Sequence, residues 1–132
     1  MATMFEVYLV TPEREVWTGQ SSIVIARGSE GEVGIMAGHQ SMLIELAIGP
    51  LFIQTEGERI AAAVDGGFLH VATSKAETRV DVLAEHAELS TEIDLDRARR
   101  QKEAAERRIA DDHDGYAQGE LAKALTRLNL AG

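Results

Sequence analysis

"VLAEHAELSTEIDLDRAR", residues 82–99, begins as a strand and ends as a helix. Up to Leu83 the chain alternates: Thr78, Val80 and Val82 stand against Arg79 and Asp81, the period-two pattern of a half-buried strand. After Leu89 the alternation stops. The remaining residues contain no proline, few β-branched side chains and much Ala, Glu, Arg and Leu, which are helix formers. Thr91-x-x-Asp94 supplies a helix start signal, and Asp94 or Asp96 suits the positive end of the helix dipole. The stretch therefore divides the 132-residue chain into an expected strand domain at 1–88 and a helical part at 89–132.

Upstream, "FEVYLV" (5–10) alternates and "SSIVIAR" (21–27) is a short, nearly continuous apolar strand. "PLFIQTEGERIAAAV" (50–64) is a hairpin about Glu56-Gly57, and "AAAVDGGFLHVAT" (61–73) is expected to be a second one. There Asp65-Gly66-Gly67 offers the positive φ values of a tight reversal. Turn signals every ~8–12 residues predict an antiparallel β-sandwich or barrel. About ten short strands are expected, with a small core. Downstream, Leu95, Ala98, Ala105 and Ile109 form a thin stripe, "DDHDG" (111–115) breaks the helix, and a second helix starts near Tyr116. Ala117, Leu121, Ala124, Leu125 and Leu128 fall on one face of it, so the class is α+β with a C-terminal two-helix antiparallel hairpin. Alanine buries little area at ~25 cal/mol per Å². The hairpin is therefore expected to be a loosely docked, mobile element; the alternative is a plain stabilising appendage.

Composition removes several classes of function. The net charge is −9, of which residues 1–90 carry −8 and residues 91–132 carry −1. An acidic chain is a poor partner for nucleic acid or an anionic membrane surface. Most basic residues lie in the tail, where any contact with an acidic partner is expected. Without cysteine there are no disulfides and no thiolate metal sites. No apolar run approaches the ~18 residues of a membrane span, and "MATMFEVYLV" has no basic region to mark a signal peptide. His39, His70, His86 and His113 are scattered, with no metal-ligand spacing, and no serine sits in a nucleophile elbow. Neither a metal site nor an enzyme in its own right is expected.

"GSEGEVGIMAGHQSML" (28–43) places Gly28, Gly31, Gly34 and Gly38 three or four apart, but Glu30 and Glu32 would repel a phosphate. The run resembles the signature loop of the epsilon subunit of bacterial F-type ATP synthase. "REVWTG" (14–19), "AVDGGFLHV" (63–71) and the junction at 82–99 resemble that family in the same order, so the resemblance covers nearly the whole chain. It implies a non-catalytic central-stalk subunit that turns with the gamma subunit and the c-ring. Such a subunit couples proton translocation to ATP synthesis at the cytoplasmic face of the cell membrane, held there only indirectly through the ring. Glu30, Glu32, Met36 and His39 are then expected at one end of the sandwich, against the c-ring and gamma; the alternative is that the two glutamates are solvated turn residues. In many members the hairpin extends toward the beta or alpha subunits and opposes ATP hydrolysis. Arg99, Arg100, Arg107 and Arg108 would make that contact here, or else pair locally, as Glu103 would with Arg107.

"IDLDRA" (93–98) further resembles the motif by which some members bind ATP as a regulatory ligand; no cofactor is required. The resemblance carries Ile93, Asp94, Arg97 and Ala98 into that site, together with Glu88, Lys123 and Arg127. Lys123 and Ala104 stand where the family has arginines, and lysine lacks the bidentate guanidinium fork. Asp94 as a helix cap, with Arg97 paired locally, is the competing possibility. The alternative for the whole chain is a free-standing acidic β-sandwich binding module with a helical oligomerisation tail.

Overall fold

The computed structural model describes residues 2–112 and 115–131. The strands are β1 (Phe5–Val10), β2 (Glu15–Ser21), β3 (Ile23–Gly28), β4 (Gly31–Met36), β5 (Met42–Gln54), β6 (Arg59–Ser74), β7 (Glu77–Ala84) and β8 (Ala87–Leu89). A 3-10 turn (Ser90–Glu92) leads into α1 (Leu95–Asp112) and α2 (Gly115–Ala131). The α+β architecture is the expected one, a β-sandwich followed by two helices. The strands number eight rather than about ten, because β5 and β6 run unbroken for 13 and 16 residues.

Pairing follows the order β2-β1-β7-β6-β5-β3-β4, with β8 also on β6. It is antiparallel throughout except for β1 and β7, which pair in parallel. Val7 and Leu9 near one end of this path share a single buried cluster with Val24 and Ile35 at the other. A flat sheet could not bring them together, so the sheet folds over on itself into two layers. The long strands make this possible: Ala62–Val64 of β6 pair with β8, whereas Gly67–Ser74 pair with β7.

Asp65-Gly66-Gly67 is therefore a corner and not the expected hairpin turn. Pairing with β5 continues straight past it, through Ile48↔Asp65 and Leu46↔Gly67. The positive φ values are present, 85° at Gly66 and 127° at Gly67, but they redirect one strand instead of reversing it. A Cβ on Gly67 would lie 2.1 Å from the Leu83 carbonyl oxygen, so the corner requires glycine both for conformation and for space. The turn between β7 and β8 locks against it: Asp65 N–H donates to His86 O at 2.9 Å, and Glu85 N–H donates to Gly66 O at 3.1 Å.

The glycine signature is mostly strand. Gly28 pairs with Gly31 around a two-residue turn, and positive φ occurs at Gly31 and Gly38 alone of the four. The segment after β4 is pinned to the β6–β7 hairpin: Gly38 N–H donates to Thr78 Oγ1 at 2.8 Å, and Thr73 Oγ1 donates to His39 O at 2.6 Å.

Ala98 and Ala105 of α1 and Ala117 and Ala124 of α2 are buried, allowing the helix backbones to approach closely. Leu125 departs from the expected inward face, being 38% exposed, and Thr126 is buried instead. The Thr126 hydroxyl is satisfied by donating to Ala122 O. α1 ends at Asp112 and α2 starts at Gly115; His113 and Asp114, in the middle of the expected break, lie outside the described residues. α2 rests on β5 and β6, while α1 packs chiefly on α2.

Candidate functional site

Where the hairpin meets the sandwich, a cavity of about 480 Å³ opens between the β6 corner, β8, the 3-10 turn and both helices. Local sequence explains its walls. Asp94 precedes α1 and accepts a hydrogen bond from Arg97 N–H at 3.1 Å, an N-cap that frees the chain to turn from β8 into the helix. Glu92 Oε1 accepts from Leu89 N–H at 2.8 Å, closing the 3-10 turn from the other side. Arg97 and Ala98 then sit on the first turn of α1, and Lys123 and Arg127, four apart on α2, share the facing wall.

Four cations line the cavity, and three are engaged. Arg127 forks onto Asp65 at 2.8 and 2.9 Å and reaches Glu88 through Nε at 2.6 Å. Burial alone would pull this guanidinium down, but the hydrogen bonds to Asp65 and Glu88 outweigh it and hold Arg127 above the ordinary arginine range. Arg14, from the β1–β2 turn, is bidentate to Glu92 at 2.9 Å for both contacts. Its hydrogen bonds, with that from Leu89 N–H, draw the Glu92 carboxyl below the usual range. Lys123 pairs with Glu120 one turn away at 3.1 Å. The Arg97 guanidinium has no hydrogen-bond or ion-pair partner among the described residues.

The fold thus assembles Glu88, Asp94, Arg97, Ala98, Lys123 and Arg127 in one cavity, while Ile93 does not line it. Sequence reading missed Arg14, Asp65 and Glu92. Asp65 was absorbed into a turn motif, and Arg14 lies 78 residues from its partner with no local pattern to flag it. A cavity of paired charges with one open guanidinium suits a polar ligand carrying anionic groups.

The other predicted residues lie elsewhere. Glu30 and Glu32 are exposed at and beside the β3–β4 turn. Met36, 58% exposed, is the last residue of β4, and His39 lies just past it. The expectation of one common end is thereby corrected: β4 is extended chain, and six residues of it span up to ~20 Å. Sequence also missed an apolar patch. Leu43 (63% exposed) lies on β5, Phe68 (44%) on β6 and Leu83 (49%) on β7, with Phe68 and Leu83 in register. Arg99, Arg100, Arg107 and Arg108 are all exposed along α1. Arg99 pairs with Asp96 at 3.2 Å, Arg108 lies over the Tyr116 ring, and no ion pair joins Glu103 to Arg107 among the described residues.

The family model of the ATP synthase delta/epsilon chain β-sandwich domain matches residues 4–90. The ATP synthase epsilon chain of Streptomyces coelicolor is 46% identical over 106 residues, 80% of this chain and 82% of that one. That of Thermobifida fusca is 45% identical over 129 residues, 95% and 90% of the two chains. Similarity to the Nitratidesulfovibrio vulgaris epsilon chain, at 39% identity, spans 100% of this chain and 98% of that relative, helices included. Among solved structures, a chain of the Euglena gracilis mitochondrial ATP synthase OSCP/F1/c-ring complex superposes with TM-score 0.76 at 26% identity. That match covers 97% of this chain and 80% of the other.

Proposed function

This chain belongs to the delta/epsilon family of ATP synthase subunits, as an epsilon chain, and we propose that it works in the central stalk between gamma and the c-ring. The observation that carries this is likeness to epsilon chains along the whole length, sandwich and hairpin together. It is a non-catalytic subunit, transmitting rotation between proton translocation and ATP synthesis at the cytoplasmic face of the bacterial membrane. Two surfaces at different places on the sandwich suit two partners. The acidic turn of Glu30 and Glu32 offers carboxylates to polar ring loops. The patch of Leu43, Phe68 and Leu83 offers apolar area to gamma, as does the exposed Met36 at the end of β4.

The hairpin is the regulatory part. With α1 packed chiefly on α2, its outer arginines are solvent-exposed, where an acidic segment of the beta subunit can reach them once the hairpin extends. ATP in the cavity, held by Asp94 and Arg97 with Glu88 and Lys123 nearby, stabilises the docked form by its differential affinity for it. Isolating membranes and finding the chain with alpha, beta and gamma tests the assignment; a chain recovered only as free protein sinks it. Removing residues 91–132 should leave assembly intact and raise ATP hydrolysis by the complex. Unchanged hydrolysis refutes the inhibitory role.

A further inference from the structure

The cavity's cations differ in how readily an incoming anion could recruit them. Arg127 and Asp65 are 11% and 6% exposed at the side chain and fully cross-bonded. Taking one partner from such a buried pair leaves the other charge stranded, which is strongly unfavourable. Arg14 and Glu92 are 45% and 37% exposed, and an exposed pair of this kind contributes little and exchanges easily. Arg97 is already open. We propose that Arg14 is a phosphate-binding residue of this cavity, acting with Arg97, and that Arg127 is a structural tie which phosphate does not recruit. The ligand is a nucleoside polyphosphate, so the assignment of Arg14 rests on the nucleotide reading above.

Position gives Arg14 a second consequence. It stands on the β1–β2 turn of the sheet domain, whereas Arg97 stands on α1. α1 packs chiefly on α2 and reaches the sandwich mainly through it. A phosphate chain held by both arginines joins α1 directly to the sheet domain. Arg14 also supplies a bidentate fork that neither Ala104 of α1 nor Lys123 of α2 can provide.

The test uses the full chain, titrated with ATP, AMP and adenosine by calorimetry and amide chemical shifts. R14Q should weaken ATP about tenfold, the scale of one charge-assisted contact, while leaving adenosine unchanged. E92Q should tighten ATP, because it releases the Arg14 guanidinium. A purely structural Arg14–Glu92 tie predicts the opposite sign for E92Q, weakening every ligand alike. Equal ATP affinity in wild type and R14Q overturns the role of Arg14. Failure of wild type to bind ATP at millimolar concentration overturns instead the nucleotide reading on which it stands.

Discussion

Arg127 and Asp65, 62 residues apart in sequence, meet in a two-pronged ion pair that fastens α2 to the corner of β6. The contact makes docking partly ionic, although the facing helices are lined mainly with alanine. Breaking one side of a buried pair costs roughly 3–5 kcal/mol. R127A should therefore undock α2 while the sheet stays folded. Hydrogen exchange reads this directly: amides of α2 should lose protection and those of β7 should keep theirs.

Glu92 gives the cavity rim a pH dependence. Its pKa is lowered in the folded chain, first by the Arg14 hydrogen bonds and then by Leu89 N–H. A lowered folded pKa means the stabilisation is complete above the unfolded value of about 4.3 and disappears as pH falls through the lower folded value. The Leu89 amide resonance should accordingly shift in acid with a midpoint below 4.3, an effect absent in E92Q. A midpoint at or above the free value would contradict the geometry.

Gly67→Ala should be among the most damaging single changes. It combines a φ of 127° with a Cβ 2.1 Å from Leu83 O, so β6 or β7 must move. Strained backbone and lost ladder bonds together predict a loss of about 3 kcal/mol or more, measured as a lower urea midpoint. Ala at Gly57, where nothing lies within 4 Å, should be close to neutral by comparison.

Thr78→Val removes the hydroxyl that accepts from Gly38 N–H and bonds Thr73 at 3.0 Å. Thr78 is 8% exposed but Gly38 is open to water, which can take up the orphaned N–H, so the loss should be about 0.5–1.5 kcal/mol. Exchange at the Gly38 amide should quicken well before global unfolding, because the damage is confined to the segment that joins β4 to β5.

Local pattern made much of this molecule legible. Alternation at 78–82 and helix formers after residue 90 separated sheet from hairpin, because side-chain periodicity is imposed by the nearest backbone bonds. Asp94 was identifiable as a cap, and the turn at Glu56-Gly57 as a hairpin, for the same reason: both are closed by hydrogen bonds only a few residues long. What escaped was decided by contacts across the fold. Asp65-Gly66-Gly67 satisfies the conformational demands of a turn and of a corner equally, and only the uninterrupted pairing of β5 with β6 selects the corner. Arg14 joined the cavity because folding carried it to Glu92. Arg127 is tied to Asp65, a carboxylate that its own helix does not contain. Charges separated by dozens of residues leave no periodic trace, so their partners exist only once the layers have closed.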